Sequence, residues 1–153
     1  MLSLKHRVPP PLVALALLPA MWLLSGVLPT VDAALPVRLG LAAGTVLAGL
    51  GFSLAGVLAF RRASTTVNPL HPERAAALVT TGVYRITRNP MYVGMVLVLL
   101  AWAVLLASPV ALAGPVVFIA YMNRFQIGPE EQALGALFGP EYAAYRSRVR
   151  RWI

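Results

Sequence analysis

The sequence predicts an all-α, polytopic membrane protein with four transmembrane helices, and three observations carry that prediction. Hydrophobic residues fill 59% of the 153 positions and charged ones only 12%, about half the charged share of a soluble domain. The apolar residues gather into four runs, about 11–31, 39–60, 91–107 and 109–122. The cations follow the topology those runs imply: of thirteen Lys and Arg residues, only Arg38 falls on the far side. That bias makes the near side cytoplasmic. The expected location is the cell membrane, multi-pass, with the N- and C-termini cytoplasmic. The whole chain, 1–153, reads as one membrane-embedded domain.

Composition also excludes several chemistries. There is no cysteine, so disulfides, thiolate catalysis and cysteine-bound metals are out. His6 and His71 are too few for a usual zinc site, and no metal is expected. The net charge of +8 follows from the topology, so the expected partner is the lipid bilayer and not nucleic acid.

Each run has its own boundary signals. The first, 11–31, suffices for the roughly 20 residues a helix needs to cross a bilayer, with Pro19 inside it as an expected kink. Val31-Asp32-Ala33 resembles a cleavage site, but the run exceeds the 7–15 apolar residues of a signal peptide. In the second run Gly40, Gly44 and Ala48 recur every four residues, the spacing of a close helix-packing face. A polar loop, 61–89, follows, with a short helix expected from Pro72 to Val79. Asn89-Pro90 then reads as an N-cap with proline at the first helical position, opening the third run. Ser108-Pro109 turns the third run into the fourth, a tight hairpin in which Pro115 is expected to bend the second arm. Beyond 122 the chain is polar. Gly128-Pro129-Glu130-Glu131 reads as a new helix start, and Gly139-Pro140 as its end and the start of another. Tyr142, Tyr145, the tail arginines and Trp152 fit helices lying at the cytoplasmic membrane interface.

Polar groups able to do chemistry cluster between Thr81 and Gly94 and around Glu130. Each has two readings. Glu130 and Glu131 are favourable charges at a helix N-terminus, or a paired-carboxylate site. Arg85 and Arg88 either snorkel to lipid headgroups or clamp an anion. Tyr84 and Tyr92 are interface aromatics or the walls of a pocket for a flat ring. Asn89-Pro90 begins a helix whose first N–H groups favour an anion. No Ser-His-Asp arrangement is evident, since Asp32 is across the membrane from His71. From the residues alone the result is a membrane protein with a cytoplasmic pocket joined from the loop, the third run and the tail.

At these residues the chain resembles the isoprenylcysteine carboxyl methyltransferase family and the related phospholipid methyltransferases. The resemblance rests on Leu78-Val79-Thr80-Thr81-Gly82-Val83-Tyr84, Arg88-Asn89-Pro90-Met91-Tyr92-Val93-Gly94, the hairpin, Glu130-Glu131, and Phe138-Gly139-Pro140-Glu141-Tyr142. It covers about residues 68–151. It implies an integral membrane methyltransferase that uses S-adenosylmethionine without a dinucleotide-binding domain. The cofactor region would be 76–94 and 124–142, at the cytoplasmic face. Ala76, Ala77, Leu78, Val79, Tyr84, Asn89, Pro90, Met91 and Tyr92 would line the cofactor site, and Glu130 would match the family's cofactor-binding glutamate. Arg88, Arg124 and Gln126 would face the acceptor, which enters from the membrane. That acceptor would be lipophilic or membrane-soluble: a prenylcysteine-like carboxylate, a phospholipid amine, or a small thiol or isoprenoid. Displacement at a sulfonium methyl asks for alignment and dryness more than for acid or base, so no catalytic residue is assigned. The sequence departs from the family at three places. Asn89 replaces a histidine, Gln126 stands where the eukaryotic prenylcysteine enzymes carry an arginine, and Gly128-Pro129 is expected to interrupt a helix that is continuous in them.

Two other classes fit part of the pattern. One is a non-catalytic membrane protein whose glutamates cap helices and whose arginines anchor to lipid. The other is a membrane reductase on a related scaffold, which would need a reduced nicotinamide cofactor; the sequence offers no extra basic pocket for its phosphate.

Overall fold

The computed structural model describes residues 8–63 and 77–153. Five α-helices occur among them: α1 (Pro10–Ser25), α2 (Leu35–Arg62), α3 (Pro90–Leu106), α4 (Ala113–Tyr121) and α5 (Gly128–Arg148). No strand is present among the described residues; one isolated bridge joins Thr87 to Arg150. The basic lead, His71, Ala76 and most of the helix expected from Pro72 lie outside the described residues. The described end of that helix, Ala77–Val79, is not helical.

The first two apolar runs are divided differently from expectation. α1 stops at Ser25, six residues short of Val31, and Gly26 follows it. Pro29 forbids continuation, because a proline pushes the residue before it out of the helical region. α1 does run through Pro19 without ending. The extended connector turns back on the hairpin, where the Val31 N–H donates to the Ala107 carbonyl at 2.7 Å. α2 is longer than the run 39–60, because Leu35-Pro36 opens the helix early with proline in its first turn.

The face α2 uses is also different. A Cβ added at Gly40 or Gly44 meets nothing within 4 Å, so the expected four-residue repeat does not pack. The buried positions are Ala42, Gly49 and Gly56, seven apart. Seven residues make nearly two whole turns, so this row runs along one line of the helix. It meets the N-terminal half of α3. A Cβ at Gly49 would lie 2.8 Å from the Gly94 carbonyl oxygen, and one at Gly56 would lie 3.1 Å from Pro90 and Met91. α2 and α3 form the most extensive helix pair of the molecule.

α3 begins where Asn89-Pro90 predicts and ends at Ala107, which adopts the left-handed conformation (φ 50°, ψ 33°). The return starts as a short 3-10 turn, Pro109–Leu112, before α4. Pro115 sits in the first turn of α4, where its missing N–H costs little. The expected break at Gly128-Pro129 does not occur. Met122–Ile127 form a π-helical segment that leads straight into α5. The widened turn accommodates Pro129, whose ring would otherwise press on the carbonyl four residues earlier. The true kink is at Gly139 (φ 50°, ψ −122°), followed by Pro140, as the Gly-Pro pair predicts.

α2 and the continuous helical stretch Pro109–Arg148 are long and apolar enough to cross a membrane, while α1 and α3 are shorter apolar helices. Leu12, Trp22, Leu39, Leu47, Leu54 and Leu58 stand exposed on α1 and α2, a surface suited to lipid and costly in water. One apolar cluster, with Met21, Leu99, Phe118 and Met122, joins α1, α3, α4 and the π segment. A second, with Val79, Tyr84, Tyr142 and Tyr145, ties the loop to α5. The pocket opens beside this second cluster.

Candidate functional site

The site is assembled from three parts of the chain that the hairpin brings together. Gly82, at φ 62°, takes a conformation that suits glycine and starts a 3-10 turn, Gly82–Arg85, that buries Tyr84. Asn89-Pro90 starts α3 and carries Tyr92 inward. The π segment sets the rotation with which α5 presents Glu130 and Glu131. Together these line a pocket with about 840 Å³ of space between atoms, its open mouth included.

Ala77, Leu78, Val79, Tyr84, Asn89, Pro90, Met91, Tyr92, Arg88 and Glu130, all expected in the site, line this pocket. Two expected acceptor-side residues are placed elsewhere. Arg124 is exposed on the surface and does not line the pocket. Gln126 is 1% exposed and stands behind the wall, donating to Glu130. The pocket also has walls outside the expected regions, Phe60 and Tyr145, and others within 124–142 that sequence reading does not single out for it, Ile127, Leu134 and Tyr142. Helical spacing puts Leu134 on a face with Leu137 and Phe138, and Tyr142 on one with Tyr145, but it does not say that these faces turn inward rather than toward lipid. Arg146 and Arg148 do remain exposed.

Glu130 is the centre of the polar arrangement. Its Oε1 accepts from the Tyr92 hydroxyl at 2.6 Å and from the Gln126 amide at 2.8 Å. It lies beyond the apolar stretch 109–122. Burial pushes its pKa up to about 7, the neighbouring charge of Glu131 adds to the rise, and the two donors hold it down. Burial likewise raises the Tyr84 and Tyr145 hydroxyls well above the ordinary tyrosine value. These hydroxyls therefore stay protonated, and that of Tyr145 donates to the Tyr84 carbonyl at 2.8 Å.

Glu131 does a different job from its neighbour. Oε1 lies 3.1 Å from Arg88 Nη1, and Arg151 forks onto both carboxylate oxygens at 3.0 and 2.6 Å. Arg88 Nη1 also reaches the Tyr142 hydroxyl at 3.5 Å, while its buried Nε has no hydrogen-bond partner. Two guanidinium groups thus share one carboxylate, which leaves positive charge at the pocket wall. The helix N-terminus offers less than the Asn-Pro start suggests. Pro90 has no N–H, and those of Tyr92 and Val93 donate to the Asn89 carbonyl. The Asn89 side chain is not a cap; it donates to the Arg151 carbonyl at 2.9 Å. Arg88 and the start of α3 both border this pocket. Among the described residues no cluster of His, Cys, Asp and Glu is arranged to hold a metal.

Comparison with known proteins decides the family. The model of the phospholipid methyltransferase family matches residues 37–141, which include nearly all of α2, the hairpin and both glutamates. The chain belongs to this family. Its relatives include protein-S-isoprenylcysteine O-methyltransferase A of Arabidopsis thaliana, 30% identical over 62% of this chain and 48% of that protein. A probable protein-S-isoprenylcysteine O-methyltransferase of Oryza sativa subsp. indica is 35% identical over 58% of this chain and 46% of its own length. The chain spans about half the length of these methyltransferases. An uncharacterized protein of Haemophilus influenzae matches over its full length, 41% of this chain, at 44% identity. No solved structure matches. Family membership and the long apolar helices make this a membrane protein.

Proposed function

We propose that this phospholipid methyltransferase family protein transfers the methyl group of S-adenosylmethionine to a lipophilic or membrane-soluble acceptor. The observation that carries the reading is Glu130. It is a mostly buried carboxylate in an aromatic pocket, steadied by Tyr92 and Gln126, in a chain whose relatives include proteins named as methyltransferases. The donor set fits the cofactor. Glu130 would hold its ammonium or neighbouring hydroxyls, Arg88, which lines the pocket, would receive its carboxylate, and the edge-to-face pair Phe60 and Tyr84 would lie to one side of its base. When bound, S-adenosylmethionine supplies an electrophilic methyl on a sulfonium. The chain's own task is to align the acceptor and keep water out, for which the apolar walls of the pocket are suited.

In this reading α1, α2, α3 and α4 cross the membrane. The pocket, α5 and both termini face the cytoplasm, and the acceptor enters from the bilayer. The short α1 and α3 then imply local thinning or a hairpin turn lying near the far interface. A prenylcysteine-like carboxylate, a phospholipid amine and a small thiol or isoprenoid all fit an apolar, arginine-bearing pocket. The test is incubation of the detergent-solubilised protein with methyl-labelled S-adenosylmethionine and fractions of a membrane lipid extract. Label is expected in an organic-soluble product whose mass identifies the acceptor. Cofactor binding without label in any lipid, prenylcysteine or thiol fraction would contradict the activity.

A further inference from the structure

In the methyltransferase reading, Arg88 and Glu130 touch the ligand. The residue that determines where Arg88 stands is elsewhere, and it lies outside the pocket wall. Arg151 belongs to a tail segment whose basic composition reads as membrane attraction. Its contacts are instead directed at the site. Its main-chain carbonyl accepts from Thr87 Oγ1 at 3.1 Å and from Asn89 Nδ2 at 2.9 Å. The neighbouring Arg150 carbonyl accepts the Arg88 N–H at 3.0 Å. The three residues entering α3 are therefore hung on the tail. The Arg151 side chain meanwhile takes both oxygens of Glu131 through Nε and Nη2 and sends Nη1 to Asn123 Oδ1 at 3.3 Å. Trp152 pins the same oxygen through its indole N–H at 3.1 Å.

The charge arrangement explains what this does for the pocket. Glu131 is 9% exposed, so its charge must be met inside the protein. With Arg151 forked onto it, Arg88 gives it one nitrogen and keeps Nε unengaged. Without Arg151, Arg88 is the remaining partner, and the favoured geometry becomes a two-pronged pair. That geometry turns the Arg88 fork onto Glu131 and removes it from the ligand.

We propose that Arg151 is the positioning residue of this pocket: by occupying both oxygens of Glu131 and anchoring residues 87–89, it holds Arg88 available for the anionic group of the bound molecule. The proposal rests on the methyltransferase reading of the site. A coupling cycle tests it, with S-adenosylhomocysteine as the probe and calorimetric titration of the full chain in detergent as the readout. Arg151→Ala is expected to weaken binding by about tenfold. Arg151→Lys is expected to recover only part of that, because an ammonium cannot fork. In a Glu131→Gln background the same Arg151→Ala change is expected to cost less than about twofold, since no carboxylate remains to capture Arg88. A merely structural arginine, paired with Glu131, would also lose less in that background, but its full loss would persist in an Arg88→Ala background, where the positioning role predicts less than about twofold. Full loss in the Arg88→Ala background, or wild-type affinity in Arg151→Ala, overturns the proposal while leaving the cofactor site standing. Should Arg151→Ala fail to fold, Arg151→Lys carries the cycle. Absence of saturable binding by the wild-type chain overturns the parent reading, and the proposal with it.

Discussion

At the scale of single residues, Glu130 and Glu131 show how identical side chains in adjacent positions take different work. Glu131 is spent on two arginines and is structural. Among the described residues Glu130 accepts from two neutral donors, Tyr92 and Gln126, and its pKa rises to about 7, mainly because burial disfavours the charged form. The raised value has a consequence with a definite sign. Free energy of folding contributed by the protonated acid is present in full below the ordinary carboxylate value and is lost as pH rises through about 7. A cationic ligand has the opposite preference, since it favours the ionised form. S-adenosylhomocysteine affinity is therefore expected to rise from pH 6 to pH 8, by up to about tenfold per unit on the acid side. In Glu130→Gln it should be weak, with that portion of the pH dependence removed. Calorimetric titrations at both pH values read this directly, and an equally steep rise in the Gln variant would remove Glu130 from the linkage.

The sequence made part of this legible. Glu130, Tyr92 and Tyr84 are named by the resemblance, and the hairpin explains why they meet. Arg151 was not legible, because a basic residue near an apolar span has the same composition signal whether it meets lipid or a buried carboxylate. Nor was the role of Asn89. Asn-Pro ahead of an apolar run predicts a side-chain cap, yet the available acceptor is the carbonyl of residue 151, sixty-two positions away.

At the scale of elements, helix starts and turns were read well where proline and glycine act locally. Pro90, Ser108-Pro109 and Gly139-Pro140 start or turn helices where their chemistry predicts, although Asn89 does not cap. Gly128-Pro129 does not, because a π segment upstream absorbs the proline. That is a cooperative adjustment of six residues with no local signature. The packing face of α2 shows the same limit. Two small-residue rows are present, and only contact with α3 selects the seven-residue row. The α2–α3 seam is tight at Gly94, where an added Cβ would strike Ser53 and the Gly49 carbonyl. Gly94→Ala is therefore expected to destabilise by about 1–3 kcal/mol, whereas Gly44→Ala, with nothing within 4 Å, should be near neutral. Thermal unfolding in detergent measures both. Equal effects would mean that the seam does not lie along the 42–49–56 row.

At the scale of the molecule, apolar helices bundle together and the polar residues of the pocket converge at one end of α3. The pocket draws on α2, the loop, α3 and α5, so membrane orientation and site are a single claim. Reporter fusions placed after residue 68 should report the cytoplasmic side and fusions after residue 108 the opposite one. A far-side signal from residue 68 would put the arginine-rich loop where the cation distribution forbids it.

The central claim is that this pocket is a cofactor site, and the most direct measurement is calorimetric titration of the purified chain with S-adenosylhomocysteine at pH 8. Saturable binding with one ligand per chain is expected, weakened by about tenfold or more in Glu130→Ala, which strips a charge-assisted contact. Heats that do not saturate, or binding that Glu130→Ala leaves untouched, would contradict that claim.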